Sequence, residues 1–353
     1  MRKVLPLFLF LFLSSLACAQ DGDSHELTIG GIFQSRYAYT FNDDQENLSS
    51  FYLRRIRLDI RGHVYSERLT YRIRPEFARS PGLEDAWVNY EAGDGYQIRF
   101  GLVQIPFHWH RFISSTRHMF VERGVPSESF GFPAGRDFGF LIHGKNEAET
   151  IAYKAGIFDG AGYDSTMSNS DGNMISARVT LAGLGQLPND ESDVQHSPNP
   201  GLSFGLGLQA ANKNQARQWD LDRSASGNNR AGWVTGTADV SLRWMGWSLV
   251  ADGYLRQVSP EAADVDDYKG WAYLATAGYF ILPKRLELAA RYSSLRLDAE
   301  DPDTSEREMG FGLNIYHRGH DVKTSIQYLT QRDNAPVEFW LDGLFLVETQ
   351  VLF

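Results

Sequence analysis

From residue 27 to residue 353, apolar and polar side chains alternate with a period of two, over and over. Between Tyr52 and Gly62 one face reads Tyr52, Arg54, Ile56, Leu58, Ile60, and the other Leu53, Arg55, Arg57, Asp59, Arg61. Successive side chains of an extended chain point to opposite faces, so this period specifies β-strands with one apolar and one polar side. Sixteen such runs occur, near 27–40, 51–62, 67–78, 83–91, 96–106, 136–144, 149–158, 173–182, 201–211, 232–245, 246–258, 269–282, 284–297, 306–317, 320–331 and 342–353. Most span 9–14 residues. That exceeds the roughly 5–6 of an ordinary strand and suits the about 9–11 needed to cross a bilayer at a tilt. The spacing predicts an all-β fold, a 16-stranded antiparallel transmembrane β-barrel over 20–353.

The connectors sharpen this reading. Short turns sit near Ala92–Gly95, Trp244–Trp247, Leu282–Lys284 and Arg318–His320. Longer polar loops sit near 41–50, 107–135, 159–172, 212–231, 259–268, 298–305 and 332–341. Short turns on one rim and long loops on the other are expected of outer-membrane barrels. Gly183–Pro200 breaks the pattern, being 18 residues long on the short-turn side; it is either a true excursion or a local miscount. Tyr37, Tyr39, Trp244, Trp247, Trp271, Tyr279 and Tyr328 close their runs at the spacing of interfacial aromatic girdles. The final strand ends on Phe353, as the insertion-recognised strand of such barrels does.

Residues 1–19 read as an export signal: Arg2 and Lys3, then an apolar stretch from Val4 to Leu13, then Ala17-Cys18-Ala19. The alternatives are a membrane anchor, for which the stretch is short, and lipid attachment at Cys18, whose preceding residues fit poorly. Cys18 is the sole cysteine, which excludes thiol chemistry and disulfides from the exported part. The formal charge of −10 becomes −12 without Arg2 and Lys3 and disfavours nucleic-acid binding. The expected location is the outer membrane of a Gram-negative bacterium.

With the apolar face outward, the first five strands point Arg36, Arg55, Arg57, Arg61, Arg68, Arg72, Arg74 and Arg99 inward, against Asp59, Glu76 and Asp85. Between 51 and 123 there are 12 basic and 8 acidic residues in a chain that is acidic elsewhere, and arginine outnumbers lysine 27 to 7. Arginine binds phosphate and carboxylate in pairs and stays charged; fixed positive charge at a constriction selects anions. The competing reading is that these arginines only brace the wall through ion pairs. Arg54 falls on the outward face in this register, which implies a rim position, a register error or a bulge. The loop 107–135 carries Arg111, Arg117 and Arg123 with His108, His110 and His118, and is long enough to fold inward as a constriction. No cysteine or nearby carboxylate accompanies the histidines, so no metal is expected. Ser114 and Ser115 lie near them without a nucleophile elbow, so no enzyme is expected.

The stretch Gly101-Leu102-Val103-Gln104-Ile105-Pro106-Phe107, then Ser114-Ser115, then Phe120-Val121-Glu122-Arg123, resembles the phosphate-selective porin O and P family. Arg54, Arg55 and Arg57 match its arginine strand, and Glu122-Arg123 its loop motif. The resemblance implies a trimer, an inward third long loop, and diffusion of phosphate or related anions. Two departures bear on selectivity: Gln104 stands where many relatives have lysine, and the later loops are acidic at Asp264, Asp266, Asp267, Glu300, Asp301 and Asp303. The expected partners are small phosphate-like anions, the lipid bilayer with lipopolysaccharide, and further copies in a homotrimer; no cofactor is required. The alternative is a porin with little anion preference, with a barrel enzyme or an adhesin as outsiders.

Overall fold

The computed structural model describes residues 24–41, 46–78, 82–132, 135–160, 162, 173–185, 190–215, 230–333 and 343–353; the expected signal lies outside them. Sixteen antiparallel strands close into one barrel, each pairing with its chain neighbours and β1 with β16. They are β1 (Glu26–Phe41), β2 (Leu48–Val64), β3 (Ser66–Glu76), β4 (Gly82–Gly93), β5 (Tyr96–Gln104), β6 (Arg136–Lys145), β7 (Ile151–Phe158) and β8 (Met174–Leu184). The second half comprises β9 (Gly201–Gln215), β10 (Arg230–Trp244), β11 (Trp247–Pro260), β12 (Tyr268–Leu282), β13 (Leu286–Arg296), β14 (Ser305–Arg318), β15 (Val322–Asp333) and β16 (Gly343–Leu352). Closure leaves no strand edge, which a bilayer requires.

The barrel is inside-out relative to a water-soluble sheet. Outward Leu206, Ile157 and Phe138 are 64%, 58% and 52% exposed, whereas inward Gln34, Asn314 and Gln327 are buried. Such an apolar outer band needs lipid to cover it. The rims carry aromatic pairs: Trp247 and Tyr279 lie 4.4 Å apart on the short-turn rim, and Tyr37–Phe51 and Tyr39–Phe41 lie 4.6 and 4.7 Å apart on the other. Trp244 and Trp247 face each other across a two-residue turn in which Met245 and Gly246 both take positive φ, 49° and 85°; this geometry matches the right-handed strand twist. Leu208 sits outward at the middle of β9. Leu208→Arg is expected to cost about 2–4 kcal/mol of barrel stability, read as a lowered urea midpoint for the folded barrel in lipid.

Two ambiguities of the sequence resolve. In the β1–β2 ladder Gln34 faces Arg55 but Ser35 faces Leu53, so Arg54 is the unpaired residue of a β-bulge. The bulge flips the alternation before it. Tyr52 therefore faces inward beside Arg36, and Leu53 outward, the reverse of the uniform register expected from sequence. β8 and β9 pair directly, so the long 183–200 connector hides no missed barrel strand, and its described part, residues 190–200, turns back against the barrel interior instead of leaving it as a periplasmic excursion. Its Glu191, Ser192, Asp193 and Val194 are buried. Asp193 accepts from Gly246 N at 2.8 Å, and Ser192 donates to Glu287 at 3.0 Å.

Candidate functional site

After β5, Ile105-Pro106 ends the ladder with β6, since proline has no N–H to donate. The chain then forms a short helix α1 (Trp109–Phe112), a 3-10 turn (Ser115–Arg117) whose first amides Ser114 caps, and α2 (Val125–Ser129), with Pro126 in its first turn. This segment buries Phe107, Met119, Phe120 and Phe130 completely. Its carbonyls are satisfied by inward side chains from distant strands. Arg178 of β8 donates to Phe107 O at 3.0 Å, Arg256 of β11 to Ser129 O at 2.9 Å, and Arg291 of β13 to Glu122 O at 2.9 Å. Lys323 of β15 reaches His118 O at 2.8 Å, and Gln350 of β16 reaches Thr116 O at 2.9 Å. Along β8–β16, Arg178, Arg256, Arg291 and Lys323 thus brace the segment through its backbone, Arg178 also pairing with Asp239 at 2.7 Å.

Opposite, between β2–β6 and this segment, lies a cavity of about 560 Å³. Among the described residues its lining holds nine arginines (Arg54, Arg55, Arg57, Arg72, Arg74, Arg99, Arg111, Arg123 and Arg136) and four carboxylates (Glu84, Asp85, Glu122 and Glu128). The formal excess is five positive charges. Ion pairs organise much of the wall: Arg57 binds Glu76 at 2.7 Å and also Glu84, Arg72 and Arg74 share Asp59 at 2.6 and 3.0 Å, and Arg136 binds Asp85 at 2.9 Å. Arg99 makes no ion pair among the described residues; its guanidinium lies 3.9 Å from the Trp87 ring centroid, a cation–π contact. Five buried polar atoms on the lining have no hydrogen-bond partner there: the acceptor Glu84 Oε2, which lies 3.2 Å from Arg136, and four donors, Arg55 Nε, Arg74 Nε, Arg111 Nε and Ser115 Oγ. Unmet donors are costly in protein and are what an anion satisfies.

Glu122 joins the segment to the wall. It accepts from Arg54 at 2.6 and 3.0 Å and from Arg36 at 2.6 Å, with Arg55 at 3.7 Å. Burial disfavours its carboxylate, but the Arg54 hydrogen bond and the charges of Arg55 and Arg36 outweigh this and hold the carboxyl well below its ordinary range. Burial and the neighbouring Arg111 push Arg123 down to about 9, so it stays charged at neutral pH.

Of the residues expected to line a pore, Arg55, Arg57, Arg72, Arg74, Arg99, Arg111 and Arg123 meet in this cavity. Arg36 sits behind it, held by Glu348 at 2.9 Å and by Glu122. Arg117 binds Asp190 at 3.2 Å, outside the lining. Arg61 is exposed on β2, toward the short-turn rim. Sequence reasoning missed Arg136, whose position four strands from Arg57 hides their shared carboxylate Glu84, and Arg54, displaced by the bulge. The three histidines are buried, with two carboxylates beside His110, and no described group of three ligating side chains could hold a metal.

The fold is that of solved outer-membrane barrels. The in-vitro folded, trimeric form of OmpT from Vibrio cholerae superposes with a TM-score of 0.63 at 11% identity, covering 94% of this chain and all of that one. The channel DcaP of Acinetobacter baumannii gives 0.61 at 11% identity, covering 94% and 98%. OmpF of Salmonella typhi, solved with daunomycin, gives 0.56 at 14% identity, covering 95% and 99%. An uncharacterized protein of Aquifex aeolicus (strain VF5) is 24% identical over 329 residues, 81% of this chain and 76% of that protein. Residues 27–335, nearly the whole barrel, match the phosphate-selective porin O and P family. With a closed sixteen-stranded wall, an apolar outer band and that match, the chain belongs to the phosphate-selective porin O and P family and is an outer-membrane porin.

Proposed function

We propose that the protein passes small anions, with phosphate and related oxyanions preferred, by diffusion along the arginine-lined cavity and without catalysis. The segment 107–135 acts as the constriction, set across the lumen by its bonds to strands on the far side of the wall. The observation that carries this reading is the excess of nine arginines over four carboxylates, with three guanidinium Nε donors and one hydroxyl left to be met. Guanidinium forks match tetrahedral and planar oxyanions, and ion pairs along the wall keep each contact weak enough for release. The family supports the phosphate preference. A homotrimer seated in the bilayer among lipopolysaccharide completes the proposal, and the trimeric form of OmpT supports the assembly.

A second reading, a porin with little anion preference, draws on exposed Asp266, Asp267 and Glu300 and on Gln104 in the cavity lining. Salt screens those loop charges beyond about 8–10 Å, so the cavity is expected to dominate. The purified protein in a planar bilayer under a KCl gradient should give an anion-selective reversal potential, and added phosphate should reduce the chloride current. A neutral or cation-selective channel indifferent to phosphate would replace the first reading with the second.

A further inference from the structure

The long connector on the short-turn side reaches the constriction segment. Glu191 bonds to two parts of it at once: His118 Nδ1 lies 2.6 Å from its Oε1, and Met119 N–H donates to its Oε2 at 2.8 Å. His110 lies 3.2 Å from Glu191 through Nε2 and 3.2 Å from Asp252 of β11 through Nδ1, within ion-pair range though off hydrogen-bond alignment. The His110 and His118 rings stack at 5.9 Å with 16° between planes. All four side chains are at least 97% buried. Burial pushes His118 down to about 4 despite the facing carboxylate, so its ring is neutral at pH 7 and, facing a carboxylate, donates from Nδ1. The connector is itself fixed to the wall through Ser192 and Asp193.

We infer that Glu191 is a positioning residue for permeation, clamping the constriction segment from the short-turn side and so setting the bore opposite the arginine wall. This rests on the constriction role proposed above. A carboxylate suits the task because it accepts from a side chain and a backbone amide together. The middle of the segment is then held by two carboxylates of different origin, Glu122 from within it and Glu191 from outside at His118 and Met119.

The test uses the refolded full-length barrel, with two readouts: amide exchange over 107–132 and single-channel current noise in KCl. Glu191→Gln and His118→Leu should each raise exchange around Met119 and the time spent in sub-conductance levels by about 10- to 100-fold, the factor one charge-assisted hydrogen bond carries. His118→Gln, whose amide still donates, should retain most of the protection, which a purely space-filling role would not require. Exchange in the strands reports whether each variant folds. Should Glu191→Gln fail to fold, the two His118 variants decide. Exchange and noise within about twofold of wild type in Glu191→Gln, or in both His118 variants, would overturn the inference. A wild-type barrel that passes no ions, yet loosens around Met119 in Glu191→Gln, would keep the clamp and refute the porin reading instead.

Discussion

Replacing Arg55, Arg57 and Arg72 together with alanine is expected to turn an anion-selective channel into a nearly unselective one. The three side chains supply three of the nine guanidinium groups on the cavity lining, so the excess over carboxylates falls from five to two. At the dielectric of water, a unit charge about 4 Å from a passing ion is worth about 1 kcal/mol, and the partly dry wall makes it no smaller. Three such charges correspond to about 3 kcal/mol, or roughly a 100-fold change in local anion occupancy at low salt. The wall should survive, because the β2–β3 and β3–β4 ladders are backbone pairings and Asp59 and Glu84 keep Arg74 and Arg136. Reversal potentials of wild type and variant, taken at two ionic strengths, measure the shift. An unchanged anion preference in a folded variant would show that these arginines only brace the wall.

Removing Glu122 should have the second largest effect, and it acts in two directions. Glu122→Ala leaves Arg36, Arg54 and Arg55 without the carboxylate they share and raises the cavity excess to six. Breaking a fully buried ion pair costs about 3–5 kcal/mol; the Glu122 side chain is 33% accessible, so solvent reduces this to about 2 kcal/mol. The segment should detach about 30-fold more often, giving flickering currents with stronger anion selectivity in the open level. The pH dependence has a definite sign. Glu122 is depressed in the fold, so its contribution is complete above the unfolded carboxylate value of about 4.3 and is lost only as pH falls through the much lower folded value. Wild-type currents should therefore stay quiet down to about pH 4. Flicker that begins near pH 5 in wild type, or a quiet Glu122→Ala channel, would remove Glu122 as the anchor.

The barrel was legible because the cause of its strands is local: each outward residue meets lipid, each inward one does not, and the sequence writes that difference at every second position. The rims were legible for a similar reason, since a short connector such as Trp244–Trp247 leaves only a few residues between two alternating runs. What the sequence could not place depended on register across strands. Arg54 read as outward because alternation counts residues, whereas a bulge inserts one without changing the composition. Arg117 and Arg123 look equivalent along the chain, yet Asp190 of the connector takes the first, and Glu128 lies 3.7 Å from the second at the cavity. Nothing in the sequence singles out Arg178, Arg256 and Arg291; their roles follow from which loop carbonyl stands opposite, a relation among residues more than 70 positions apart.

The uneven filling of the cylinder divides its labour around the circumference. On the arc from β8 to β16, side chains such as Gln209, Thr276, Glu287 and Asn314 are sealed in at 0–1% exposure. On the function proposed above, solute passes along the arc of β2–β6. A substitution there can retune what passes without loosening the sealed arc, and one in the sealed arc can alter robustness without touching the solute. Permeability and mechanical integrity can therefore drift independently within one closed sheet, so two barrels of this shape can diverge in what they admit while their outlines stay superposable.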